Sequence, residues 1–130
     1  MTLPGLRGSG DSPFVGVVDD DEALCSSLVD LMRSIGYCAE SFTSAQTLLD
    51  FGNLSSVDCI IADVHMPEMG GIDLIRKLQE RGIATPVILI TALPLKQLDE
   101  EPSSVGALCL LRKPFEMRCL VDWVERSLLK

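Results

Sequence analysis

Apolar and polar positions along the chain form two alternating kinds of block. The first kind is a short, nearly continuous apolar run. Phe14–Val18 is one, broken only by Gly16; "DCIIAD", "PVILIT" and "ALCLLRK" are the others. Runs of this length between turn signals predict strands buried on both faces. The second kind repeats at helical spacing. Leu24, Leu28, Leu31, Met32 and Ile35 form one stripe, and Gly36 supplies a stop. Ile72, Leu74, Ile75 and Leu78 form another, ending near Gly82. Met117, Leu120, Val121, Val124 and Leu128 mark a last helix, with Trp123 at the margin of its stripe. Between these, residues 37–42 read as a more polar strand suited to a sheet edge. Ser44 can cap a short helix through Phe51. Residues 93–106 have no clean period. Pro102 would cost about 3 kcal/mol in a helix interior, so 96–104 is expected to be short and irregular.

Residues 1–13 hold Pro4, Gly5, Gly8, Gly10 and Pro13 and read as a flexible tail; 14–130 reads as one domain. Five strands, each followed by a helical segment, imply an α/β protein with a parallel sheet covered on both faces. The expected solution is the flavodoxin-like (βα)5 doubly wound fold, with five-stranded order 2-1-3-4-5.

Composition narrows the chemistry. The formal net charge is −8, from 19 acidic and 11 basic residues, which argues against direct nucleic-acid or anionic-membrane binding. No apolar run approaches the roughly 20 residues of a membrane span, and no signal-peptide core is seen, so a cytoplasmic protein is expected. Five scattered cysteines without metal or redox spacing read as buried thiols in a reducing compartment.

The polar residues concentrate at one place. The first, third and fourth strands end in Asp19, Asp63 and Thr91, and the fifth ends in Lys113. In an open parallel sheet, ligands bind outside the carboxyl ends of the strands at the switch point, here between strands one and three. The acidic run Asp19, Asp20, Asp21 and Glu22 and the carboxylate of Asp63 should therefore face each other across that crevice. Two unit charges about 4 Å apart repel by about 4 kcal/mol at an effective dielectric near 20, so such a crevice calls for a cation. Few carboxylates with room for water suit Mg²⁺ better than Ca²⁺. A metal, a hydroxyl and a lysine around one carboxylate point to phosphoryl transfer, with Asp63 as the nucleophile. Asp21 and Glu22 read as first-turn helix residues, the ring of His65 as a surface loop group, and Gly70 and Gly71 as the source of positive φ in a tight turn.

Four segments, "VVDDDEAL", "IIADVHMPEMGG", "ILITA" and "LLRKPF", in this order and spacing, resemble the response-regulator receiver family, the CheY-like phosphoacceptor domains of two-component signalling. The resemblance implies that Asp63 accepts phosphate from a histidine kinase or phosphotransfer protein. It implies Asp19 and Asp20 as the acidic pair for Mg²⁺, and the backbone carbonyl of His65 as a further ligand. It makes Thr91 the switch hydroxyl and Lys113 the essential lysine, with a cis peptide before Pro114. Such a domain is no enzyme beyond its own phosphorylation and dephosphorylation. It signals to a downstream output domain or protein through the face of the fourth helical segment, fifth strand and last helix. Trp123, at the margin of that face, reads first as partly buried in the core; exposed, it would suit a partner or a second copy of the chain, a homodimer. Two departures bear on output: Leu110 stands where the family has an aromatic, and "LPLKQLDEEPSS" carries Pro94 and Pro102. They keep a phosphate-independent pseudo-receiver as the alternative. A haloacid-dehalogenase-like phosphatase would place its nucleophile on the first strand, which the order here opposes.

Overall fold

A computed structural model describes residues 12–94 and 102–129. Five strands run β1 (Phe14–Val18), β2 (Cys38–Phe42), β3 (Cys59–Asp63), β4 (Val87–Thr91) and β5 (Cys109–Arg112). All are parallel, in the order β2-β1-β3-β4-β5. The described helices are α1 (Glu22–Ile35), α2 (Ala45–Leu49), α3 (Gly71–Glu80) and α4 (Met117–Leu128). The expected fold class is observed. Of the expected tail, only Ser12 and Pro13 are described, and the Pro13 carbonyl accepts from the Cys38 N–H at 2.9 Å. Most of the 96–104 segment lies outside the described residues. Its described end is a 3-10 turn, Pro102–Val105, where Pro102 comes first and needs no N–H partner.

Because β1, β3 and β4 are covered on both faces, alternate residues feed two cores. Val18, Ile60, Ala62 and Leu89 pack under α2 and α3. Val15, Val17, Ile61, Ile88 and Ile90 pack under α1 and α4. β2 lies at an edge, as its polar residues required, and shows Cys38, Glu40 and Ser41 to solvent.

Local signals set the helix ends. The Asp21 side chain accepts from the Leu24 N–H at 3.1 Å, which makes Asp21 the N-cap of α1 rather than a first-turn residue. Gly36 ends α1 at φ 111°, a conformation open to glycine at little cost. Ser44 caps α2 as expected, but α2 stops at Leu49 rather than Phe51.

Three expectations about burial are corrected. The buried stripe of α1 is Cys25, Leu28, Val29 and Met32, with Ile35 exposed at the helix end. The stripe is turned by somewhat less than one residue from the expected one, because Leu24 and Leu31 flank the sheet contact rather than centre it. On α4, Leu120 and Val124 are buried but Met117 is exposed, lying in the first turn beyond the strand ends. Cys38 and Cys119 are exposed thiols, since the β2 edge and the outer side of α4 carry no covering layer among the described residues. Trp123 is half-buried against the second core, with the Arg126 guanidinium 4.8 Å from its ring centre. No helix among the described residues is long and apolar enough to cross a membrane.

Candidate functional site

The carboxyl ends of the strands bring the predicted residues together. Asp19 follows β1 directly and is fully buried; Asp20, next in the chain, is exposed. Asp63 is the last residue of β3 and is buried. One carboxylate oxygen from each of Asp19, Asp20 and Asp63 lies within 4.8 Å of the others. Three hard oxygen donors, two of them buried, fit a small divalent cation of the Mg²⁺ kind.

Lys113 reaches into this cluster from the residue after β5, one position beyond the strand's observed end at Arg112. Its Nζ donates to Asp19 Oδ2 at 3.0 Å and to Asp63 Oδ2 at 2.9 Å. Its backbone N–H donates to the Thr91 carbonyl at 2.7 Å, which ties the lysine to the end of β4. The Lys113–Pro114 peptide bond is cis. Thr91 is buried, and its hydroxyl oxygen accepts from the Leu93 N–H at 3.1 Å. His65 contributes through its main chain: its N–H donates to Asp63 Oδ1 at 2.9 Å, while the residue itself is exposed.

These contacts oppose one another electrostatically. Burial is the largest influence on Asp63 and pushes its carboxyl above the ordinary range, and the nearby Asp19 charge adds to this. The His65 N–H and the Lys113 ammonium pull the other way without prevailing. For Lys113, burial favours the neutral form, but hydrogen bonds to Asp63 and Asp19 outweigh it and hold the ammonium above its usual 10.5. A carboxyl shifted by burial beside a fixed cation makes this crevice the candidate site.

A family model for the response regulator receiver domain matches residues 15–125. The chain belongs to the response regulator receiver family. The response regulator protein TodT of Pseudomonas putida is 36% identical over 125 residues, covering 95% of this chain and 55% of TodT. TmoT of Ectopseudomonas mendocina, also a response regulator protein, is 38% identical over 130 residues, covering 96% of this chain and 59% of its own. This receiver thus spans little more than half the length of the relatives it resembles. A solved response regulator receiver protein from Burkholderia phymatum superposes with a TM-score of 0.76 at 39% identity, covering 90% of this chain and 95% of that one.

The loop after Asp63 corrects a further expectation. Neither glycine of "MPEMGG" has positive φ: Gly70 is extended, at φ −85° and ψ −178°, and Gly71 opens α3. Their task in the receiver is to let backbone approach backbone. A Cβ on Gly70 would fall on the Val64 carbonyl oxygen, and one on Gly71 would meet the Asp63 carbonyl oxygen at 2.8 Å. The positive φ belongs instead to Glu68, at 71°. The Met69 N–H donates to the Pro67 carbonyl at 2.7 Å, closing a three-residue turn around it. A non-glycine residue so held stores strain of about 1–3 kcal/mol. Replacing Glu68 with glycine removes most of that and forfeits somewhat less in unfolded-chain entropy. Glu68→Gly is expected to raise the melting temperature by about 4 °C, read by thermal denaturation. A fall would show that the turn carries no strain.

One contact was not anticipated from the sequence. The Cys25 thiol, 3% exposed, donates to the Asp19 carbonyl at 3.2 Å. Its position six residues on, in the first turn of the helix that follows, was the available signal.

Proposed function

We propose that this receiver accepts a phosphoryl group on Asp63 from the phosphohistidine of a histidine kinase or phosphotransfer protein. The observation that carries this is the convergence of the Asp19 and Asp63 carboxylates on a single ammonium, at 3.0 and 2.9 Å, outside the ends of a buried sheet. Asp19, Asp20 and Asp63, with the His65 carbonyl, are the candidate holders of Mg²⁺. When bound, that ion would neutralise charge on the transferring phosphoryl oxygens.

The chain's own residues supply the rest. A carboxylate oxygen of Asp63 forms the new O–P bond as the donor's N–P bond breaks. Lys113, already bonded to Asp63, remains beside the growing charge. The His65 N–H holds the other carboxylate oxygen and so fixes the plane of the nucleophile. The Thr91 hydroxyl, which accepts from the Leu93 N–H, has its own hydrogen to donate to a phosphoryl oxygen; turning toward it would draw Leu93 and the chain beyond β4 along. That displacement would reach an output domain or protein through the face of β5 and α4. Leu110, half-buried on β5 against the first core, would report the change less sharply than an aromatic. Residues 14–130 act as one receiver unit whose catalysis is confined to its own phosphorylation and dephosphorylation, in the cytoplasm.

Acetyl phosphate with Mg²⁺ should add the mass of one phosphoryl group, removable by hydroxylamine. Asp63→Asn should abolish the addition while the fold, read by circular dichroism, is kept. Labelling that persists in Asp63→Asn, or that never occurs in the parent, would overturn the assignment.

A further inference from the structure

Asp19 is fully buried, and its polar atoms are held from four directions. Its N–H donates to the Phe42 carbonyl at 3.2 Å, from the end of β2. Oδ1 accepts from the Asp21 N–H at 2.9 Å, and Oδ2 from Lys113 Nζ at 3.0 Å. Its carbonyl accepts from the Cys25 thiol on α1 at 3.2 Å. We propose that Cys25 is a positioning residue for the cation site: its thiol fixes the peptide joining Asp19 to Asp20, from which both acidic side chains project. The proposal rests on the reading of Asp19, Asp20 and Asp63 as the Mg²⁺ site.

The geometry forms a closed stitch. The Asp21 side chain caps α1 through the Leu24 N–H, and the Cys25 N–H donates to the Asp21 carbonyl at 3.0 Å. The Cys25 side chain then returns to the carbonyl of Asp19. The Asp19–Asp20 peptide is therefore clamped between the strand behind it and the first turn of α1 ahead of it. Two of the four ties on Asp19 are made by backbone N–H groups, one of them its own, and one is made by the lysine. The thiol is the remaining tie that substitution can remove without touching the charged groups. Rotating that peptide would swing the buried Asp19 carboxylate and the exposed Asp20 carboxylate apart, and a metal site is sensitive to partners that orient its ligands.

The test compares Cys25→Ala with Cys25→Ser, which share the loss of sulfur packing and differ in the donor. Mg²⁺ is titrated into each and followed by the Asp20 and Asp21 amide resonances. Cys25→Ala is expected to raise the Kd about tenfold, the low end for an orienting partner because a thiol is a weak donor, while Cys25→Ser stays within about twofold of the parent. In metal-free protein, Asp21 amide hydrogen exchange should quicken in Cys25→Ala and not in Cys25→Ser. Parent-like binding and exchange in both variants, or equal weakening in both, would overturn the positioning role. If Cys25→Ala does not fold, Cys25→Val, which also lacks a donor, takes its place in the same comparison with Cys25→Ser. A parent that binds no Mg²⁺ would instead refute the cation site, and the metal-free exchange comparison then settles the role of Cys25.

Discussion

Replacing Lys113 with alanine is expected to destabilise the metal-free protein by about 2–3 kcal/mol, and saturating Mg²⁺ should bring the variant back to about the stability of the metal-free parent. The Lys113 ammonium is the counter-charge common to Asp19 and Asp63, whose side chains are 0% and 10% exposed. Without it, two carboxylates within 4.8 Å repel by about 3 kcal/mol at an effective dielectric of 20. Removing one partner of a buried ion pair typically costs about 3–5 kcal/mol; the 23% exposure of the lysine side chain lowers the figure here. The sign with pH follows from the lysine. Its folded-state value is raised above 10.5, so the stabilisation is complete at neutral pH and fades only as pH rises beyond that value. Asp63, raised by burial, will be pushed further up in Lys113→Ala and will take a proton more readily as pH falls. Mg²⁺ can replace the missing charge. At about 100 times its Kd, it should add about 2.7 kcal/mol to either protein by binding the native state alone. Urea denaturation with EDTA and with Mg²⁺ separates these effects. A Lys113→Ala protein as stable as the parent in EDTA would show that the lysine does not relieve the carboxylates. Phosphorylation by acetyl phosphate should remain at least about a hundredfold slower in the variant even with Mg²⁺, since the donor aimed at the developing charge is gone.

The site was more legible in the sequence than its surroundings. Asp19, Asp63, Thr91 and Lys113 could be placed because each ends an apolar run, and a parallel sheet delivers strand ends to one crevice. Asp63 in particular closes a strand buried along its whole length, so its carboxylate had to emerge at the rim. What escaped notice depends on distance between segments remote in sequence or turned slightly in space. Helical spacing picked out Leu24 and Leu31 and passed over Cys25 and Val29, yet the contact with the sheet chose the latter pair. The glycines of the loop showed that glycine was required and suggested a conformational reason. The actual reason is a neighbour: the carbonyl oxygens of Val64 and Asp63, which no local pattern reveals.

That distinction can be measured at Gly70. Its backbone, at φ −85° and ψ −178°, is extended and open to any residue, so alanine there meets no torsional penalty. The obstacle is the Val64 carbonyl oxygen, on which the new methyl carbon would land. That oxygen cannot withdraw freely, because it accepts from the Gly71 N–H at 3.2 Å. Nor can Val64 shift as a whole, because its own N–H donates to the Ile90 carbonyl at 2.8 Å and continues the β3–β4 pairing. Overpacking usually costs about 1–3 kcal/mol, and with backbone on both sides of the clash Gly70→Ala is expected near or above about 3 kcal/mol. For a domain stable by about 5–15 kcal/mol, that is a large fraction of the total. Gly52→Ala is the matched control: its added methyl meets nothing within 4 Å, and it should change stability by less than about 1 kcal/mol. Equal urea midpoints for the two variants would sink the close-approach account of Gly70. The relief for Gly70→Ala must come from moving residue 64, which is bonded directly to Asp63. Phosphorylation should therefore slow even at temperatures where the variant remains folded, and Gly52→Ala should match the parent.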